Sequence, residues 1–390
     1  MRDGDHLRDD DHLRLYDTAR REVVPFRPGP VVTMYTCGIT PDDGPHLGHA
    51  ATYVTYDVLQ RRLRDMGHET QCVRNITDVD DDILRRAREL GVHYLDLAAE
   101  QLARFDADMA ALGLLPALNE PRATSAISDI LRFIGMVLEA GHAYQAGGAV
   151  YFRVGSFPRF GDVSHYSREE MLDLARQRGG NPDDPNKLDP LDFVLWQPSA
   201  PDEPWWESRW GPGRPGWHVE CSALALRELG STIDLHGGGS DLIFPHHECE
   251  VAQSEAATGQ PFVRHWVHVG MVRLGGKKMS KSLGNLVFIG DLLAKWDPAV
   301  VRLAIIAHHY RQSWEWEDAD LLVANARLDT WRAAGTAGEP TMGAGDGLVL
   351  DQVRGALDDD LDTPTALGII DDAAASDRDV TSAAALLGVT

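Results

Sequence analysis

Apolar positions along the chain change period several times, and each change marks an element. Residues 31–38 (VVTMYTCG) form a run of β-branched and apolar residues closed by glycine, the pattern of a buried strand. After the loop ITPDDGP, residues 46–68 place apolar side chains at helical spacing, and residues 69–77 (ETQCVRNIT) alternate as a strand does. Strand, helix and strand in that order predict a βαβ unit with a parallel sheet, and so an α/β fold. Residues 80–145, rich in Leu, Ala, Arg and Glu, read as mostly helical, and 149–154 as a short strand. Residues 176–215 are dense in Gly, Pro, Asn and Asp and read as a loop-rich excursion. Residues 231–259 read as strand, Gly-rich turn and helix, and 266–274 as a strand. Helical patterning returns from 291, with a Gly-rich linker near 335–347 and a small helical tail. Residues 1–28 carry no such pattern and read as a polar lead-in; no internal repeat is evident.

Composition narrows the class. A chain of 390 residues, 43% hydrophobic and 25% charged, can bury its core without disulfides. With no apolar run of about 18 residues, no membrane span is predicted. The charged opening residues are unlike a secretory signal, so a cytoplasmic protein is expected. There Cys37, Cys72, Cys221 and Cys249 are expected to be reduced thiols or metal ligands. The net charge of −23, from 37 Lys and Arg against 60 Asp and Glu, argues against docking on nucleic acid.

Two short motifs carry candidate chemistry. His46-Leu47-Gly48-His49 falls where the first strand gives way to a helix. A helix start offers unpaired N–H groups to phosphate, Gly48 allows close approach, and both imidazoles can donate. Taken alone, the motif is weak and reads first as structural histidines near a turn. Lys278-Met279-Ser280-Lys281-Ser282 adds two lysines three residues apart in a glycine-flanked loop. That is a cationic clamp suited to stabilising charge as an α-phosphate is attacked. His246 and Glu250, four apart, face one side of a predicted helix. With Cys37 and Cys221 they make a plausible tetrahedral metal set. Singly, each has a plainer reading: buried small residues, a cap, a surface charge.

Together HLGH and KMSKS resemble the signatures of class I aminoacyl-tRNA synthetases. CGIT, HLGHA, RNITDVDD, PGWHVECSA, GGGSDLIFPHHE and KMSKSLGN occur in the order found in cysteinyl-tRNA synthetases and in their relatives, the cysteine ligases of the mycothiol pathway. The resemblance covers roughly residues 15–335 and, more loosely, the tail. It implies a Rossmann-like catalytic domain over 29–290 with a mainly helical insertion at about 93–215. Residues 291–390 would be a C-terminal helical region without a full anticodon-binding domain. It also implies ATP, delivered with Mg2+, as substrate and an adenylate as intermediate, with His46, His49, Lys278 and Lys281 as catalytic residues.

One zinc ion per chain is implied, held by Cys37, Cys221, His246 and Glu250 and taking the thiolate of L-cysteine as a further ligand. The chemistry is consistent, because a coordinated thiol is deprotonated and a serine hydroxyl is a poor substitute at a thiolate-rich site. By the same resemblance Thr40, Thr77, Trp217 and Asp241 hold the two ends of cysteine. Cys37, Gly38, Ile39, Thr52, Asn75, Ile76, Gly239, Ser240 and Val272 complete the substrate site. Trp217 is otherwise read as core, His247 stays ambiguous, and Cys72 and Cys249 are structural.

The acceptor is a separate question. The acidic balance, the 108 residues after Ser282, the HAATY wording and the tail all resemble the ligases. So does Gln177-Arg178-Gly179-Gly180-Asn181-Pro182, similar to a ligase signature ERGGDP. A monomer joining cysteine to the sugar amine of 1D-myo-inositol 2-amino-2-deoxy-alpha-D-glucopyranoside (GlcN-Ins), not to tRNA, is implied. The two lost carboxylates of QRGGNP and the synthetase-like Glu250 keep two alternatives open: a paralogue using another amine, and a truncated cysteinyl-tRNA synthetase.

Overall fold

The computed structural model describes residues 13–279, 283–336 and 344–389. It begins with a hairpin, β1 (Arg14–Asp17) and β2 (Glu22–Pro25), inside the segment read as a polar lead-in. Leu13 and Leu15 are fully buried while Arg14 between them is exposed. Period-two alternation therefore hides two leucines among charges that mask them in sequence. Residues 1–12 lie outside the described residues.

The βαβ unit follows as β3 (Val31–Ile39), α1 (Leu47–Asp65) and β4 (Glu69–Ile76), with β3 and β4 parallel. Their register shifts between Thr36 and Ile39. A Cβ on Gly38 would lie 1.4 Å from the carbonyl oxygen of Asn75, so only glycine allows the strands this close.

Next come α2 (Asp81–Leu90), α3 (Tyr94–Ala111) and α4 (Ile127–Glu139), as the helical composition predicts. β5 (Ala143–Ala146), β6 (Ala149–Phe152), α5 (Arg168–Gln177), β7 (Phe193–Gln197) and β8 (Arg214–Pro215) follow. These strands pair antiparallel in the order β5-β6-β7-β8. The excursion at 176–215 thus contains two strands, and FVLWQ of β7 packs Phe193, Leu195 and Trp196 inward.

The chain returns through α6 (Trp217–Leu229), β9 (Leu235–Gly239), α7 (Glu248–Thr258) and β10 (Trp266–Val269). The central sheet runs β10-β9-β3-β4, all parallel. Gly237–Gly239 belong to strand β9, whereas the sequence suggests a turn there. The reason is space: a Cβ on Gly237 would meet the carbonyl oxygen of Val267 at 1.7 Å and the Tyr56 hydroxyl at 2.2 Å.

The stretch 266–274 is two strands, broken at Gly270 where residues 312–313 approach. β11 (Val272–Leu274), β12 (Lys277–Lys278), α8 (Ile289–Leu293), α9 (Pro298–Ile306) and β13 (Trp314–Glu315) follow, the three strands forming a small sheet in the order β12-β11-β13. Helices α10 (Ala319–Thr336), α11 (Ala344–Asp358), α12 (Thr363–Ala374) and α13 (Thr381–Leu386) complete the chain. Residues 337–343 of the expected Gly-rich linker lie outside the described residues. The tail shares the core of the sheet: Leu13, Leu47, Leu59, Leu303, Leu387 and Val389 belong to one apolar cluster. Among the described residues no helix is long and apolar enough to cross a membrane.

Candidate active site and metal centre

His46 caps helix α1, and the rest of the HLGH motif forms its first turn. His46 Nδ1 accepts from the N–H groups of Gly48 (3.1 Å) and His49 (3.4 Å), while His49 Nδ1 accepts from the His46 N–H at 3.3 Å. The rings stack at 3.7 Å. With both Nδ1 atoms accepting, each ring carries its proton on Nε2 as a donor. Capping and donation, alternatives in the sequence, are compatible here.

The two signatures meet through backbone bonds. Leu47 N–H donates to the carbonyl of Val287 at 2.8 Å, and Ile289 N–H to that of Pro45 at 3.0 Å. The chain just after KMSKS is thereby tied to the HLGH turn. Met279 is buried and its N–H donates to the Val272 carbonyl at 3.1 Å, which anchors the near side of the loop and gives Val272 a backbone role. Lys278 Nζ donates to Asp241 Oδ2 at 2.7 Å. Lys281, with Ser280 and Ser282, lies outside the described residues.

A cavity of about 470 Å3 collects Thr40, Trp217, Asp241 and Lys278 on one wall system, together with Asp80–Asp82 and Gln177–Gly180. The Thr40 hydroxyl donates to Asp80 Oδ2 at 2.9 Å. At the paired ends of β3 and β4, Gly38 N–H donates to Asn75 Oδ1 (2.8 Å), Asn75 Nδ2 to Thr77 Oγ1 (3.1 Å), and Thr77 N–H to the Ile39 carbonyl (3.0 Å). Ile39 and Ile76 are register partners with buried side chains. Gly239 and Ser240 end β9 and lead into Asp241. Of the expected substrate residues, Thr40, Trp217 and Asp241 line that cavity and the rest do not; the Thr52 hydroxyl donates back to the Gly48 carbonyl at 3.1 Å. The segment that resembles the ligase signature is anchored by Arg178, whose guanidinium donates to the carbonyls of Asp241 and Phe244.

The proposed metal donors converge. Cys37, Cys221, His246 and Glu250 are all buried, and one ligand atom from each lies within 4.8 Å of the others. The sulfur atoms are 3.9 Å apart; Glu250 Oε1 lies 3.5 Å from Cys37 Sγ and 3.0 Å from His246 Nε2. His246 sits in an irregular turn before α7, where Phe244 is extended (φ −139°, ψ 135°). Burial, then the neighbouring Cys221 and Glu250, push the Cys37 thiol well up; burial also raises Cys221. Burial pushes His246 well below the usual imidazole range. Two thiols, a neutral imidazole and a carboxylate at this spacing fit zinc.

Sequence reasoning missed His218, His236 and His268 around this cluster and left His247 ambiguous. His218 Nδ1 lies 2.9 Å from His246 Nδ1, and burial holds His218 down to about 3, so it is a neutral ring; with His246 Nε2 on a metal, His246 Nδ1–H would donate to it. His236 Nε2 is 3.0 Å from Glu250 Oε2. His247 Nε2 is 3.2 Å from Cys37 Sγ, and its Nδ1 is 2.6 Å from His268 Nε2. Cys37, His236, His247 and Glu250 make a second set of four donors sharing two members with the first. His218 stands three residues before Cys221 on one helix, which was the available signal. Trp217 stacks on His246 at 4.2 Å and also lines the cavity.

Comparisons with known proteins place the chain in a family. The family model for "tRNA synthetases class I (C) catalytic domain" matches residues 24–326. A protein of Streptosporangium roseum named L-cysteine:1D-myo-inositol 2-amino-2-deoxy-alpha-D-glucopyranoside ligase is 49% identical over 92% of this chain and 88% of its own. Relatives of the same name from Thermobispora bispora (49% identical, 96% and 93% covered) and Mycolicibacterium vanbaalenii (48%, 97% and 91%) are similar along the whole fold. The chain belongs to this ligase family. Among solved structures, methionyl-tRNA synthetase of Mycobacterium tuberculosis in complex with methionyl-adenylate has a TM-score of 0.65, 16% identity, and 88% and 82% coverage. The chain therefore has the class I synthetase fold, with the sheet described above at its centre.

Proposed function

We propose that this protein activates L-cysteine with ATP and transfers the cysteinyl group to the amine of GlcN-Ins, a step of mycothiol synthesis. The observation that carries the reading is the convergence of two thiols, an imidazole and a carboxylate at one buried point, in a member of this ligase family. Cys37, Cys221, His246 and Glu250 would hold zinc. A zinc ion there supplies a Lewis acid that keeps a bound thiol ionised and so favours cysteine over serine.

The chain's own groups do the rest. His46 and His49 donate through Nε2–H to phosphate oxygens. Asp241 receives the ammonium of cysteine; that ammonium replaces Lys278, whose Nζ lies 2.7 Å from Asp241 Oδ2. Lys278 is thereby released to join Lys281 in stabilising the charge that grows as pyrophosphate leaves. Thr40 and Trp217, on the same cavity, orient the amino acid. The acceptor amine then attacks an acyl group already activated, so positioning is the main contribution of the cleft.

The test is a product assay by mass spectrometry. Zinc-loaded protein is given cysteine and ATP, with GlcN-Ins and tRNA-Cys offered side by side. The expected product is the cysteinyl amide of GlcN-Ins. Absence of cysteine-dependent ATP–pyrophosphate exchange, or charging of tRNA alone, overturns the reading.

A further inference from the structure

Neither the metal donors nor the lysine clamp serves the second half of this reaction. An amine nitrogen that attacks the adenylate carbonyl becomes positively charged as the C–N bond forms. It must lose one proton before the amide is complete. Four carboxylates line the cavity: Asp80, Asp81, Asp82 and Asp241.

Three of them face a cation. Asp241 accepts from Lys278, Asp81 pairs with Arg214, and Asp82 Oδ1 lies 3.3 Å from Arg85. For these three, taking a proton means giving up an ion pair. Asp80 differs. Its Oδ1 accepts from Ile83 N–H and its Oδ2 from the Thr40 hydroxyl, both at 2.9 Å and both neutral donors. Burial, followed by the carboxylates of Asp82 and Asp42, pushes its pKa up to about 7 against the pull of those two hydrogen bonds. Arg214, a guanidinium on the cavity wall, is already engaged by Asp81 and Glu203. A carboxylate of that basicity is still substantially ionised at neutral pH and takes a proton readily.

Position agrees with chemistry. Thr40, proposed above to orient the amino acid, is one hydrogen bond from Asp80. Gln177 shares the cavity, but an amide accepts hydrogen bonds without taking a proton. We propose that Asp80 is the general base of the transfer step, receiving the proton that the acceptor nitrogen sheds on bonding to the cysteinyl carbonyl. The nitrogen lone pair forms the C–N bond. The C–O bond to the phosphate of AMP breaks with its electron pair leaving on AMP. The proton goes to the Asp80 carboxylate and from there to solvent. This assignment rests on the reading of the protein as a cysteine–amine ligase.

Two half-reactions separate it from that reading. Adenylation is followed by cysteine-dependent ATP–pyrophosphate exchange, and transfer by single turnover of preformed cysteinyl adenylate with GlcN-Ins. Asparagine caps a helix as well as aspartate, so Asp80→Asn retains the start of α2. In that variant transfer is expected to fall at least about 10²-fold more than adenylation. In Asp80→Ala, added formate is expected to restore part of the transfer rate, which a merely structural role would not allow. Equal loss in both half-reactions, or transfer at the unmodified rate, overturns the proposal. Absence of exchange in the unmodified protein overturns instead the cysteine reading beneath it.

Discussion

Cys37 and Cys221 bring their sulfur atoms to 3.9 Å although 184 positions separate them in the chain. Cys37 arrives on β3, at the residue before the Gly38 approach to β4, and Cys221 arrives on the second turn of α6. The central sheet and the helix packed against it are what make one donor set from two remote cysteines.

Losing one donor is expected to cost metal and substrate together. Cys221→Ser should weaken zinc retention by more than about 10²-fold, and His218→Ala, which removes the partner of His246 Nδ1, by about 10–100-fold. Metal content after dialysis, read beside the KM for cysteine, checks both. One tightly held zinc and unchanged cysteine affinity in Cys221→Ser would remove that residue from the donor set.

Metal retention should also depend on pH in a stated direction. Burial raises both thiols, so the metal-free donors carry two protons that binding must displace, whereas His246 is held neutral by burial and adds none. The free state therefore binds more protons than the loaded one, and affinity rises with pH. Two displaced protons give up to about 10²-fold per pH unit. Competition with a chelator between about pH 6 and about pH 8 measures the slope, and a flat profile contradicts thiolate ligation.

The clamp predicts a specific loss. Lys278→Ala and Lys281→Ala should each lower the adenylation rate by at least about 10²-fold, since each removes charge complementary to the transition state. Asp241→Asn should act differently, raising the KM for cysteine by removing the partner of its ammonium. ATP–pyrophosphate exchange at varied cysteine distinguishes the two behaviours.

A stability prediction concerns how the tail is held. Arg302 is buried and donates to Asp57 on α1, to the Leu387 carbonyl at 2.8 Å and to the Leu112 carbonyl at 3.1 Å. Asp57→Ala leaves that guanidinium buried without its counter-charge, at a cost of about 3–5 kcal/mol. Denaturant unfolding should show the loss. A change below about 1 kcal/mol would mean that the pair is replaced by water.

Much of the catalytic core is legible in the sequence because its strands are long and its helix is amphipathic. Runs such as VVTMYTCG and ETQCVRNIT impose a period that local reading detects. The β1–β2 hairpin escapes detection because its inward residues are few and are flanked by charges; Leu13 and Leu15 are buried in an apolar cluster with residues far along the chain, and the turn is tied down by the Thr18 N–H, which donates to the Trp266 carbonyl at 3.0 Å. Strand β7 was hidden for a related reason, sitting inside a segment whose Gly and Pro content dominates the local pattern.

The residue types needed for the chemistry were determined by the sequence alone: two cysteines, a histidine and a glutamate, the HLGH cap and the lysine loop. Spacing along a chain carries no information about which side chains meet across a sheet, because those distances are set by strand order and helix packing. Only the tertiary structure decided that His218, His236 and His247 meet His246, Glu250 and Cys37, with His268 behind His247, and that Asp80 faces neutral donors while its neighbours face arginines. Burial and charge environment are properties of the packed fold, and they are what turn a common residue into a ligand or a base.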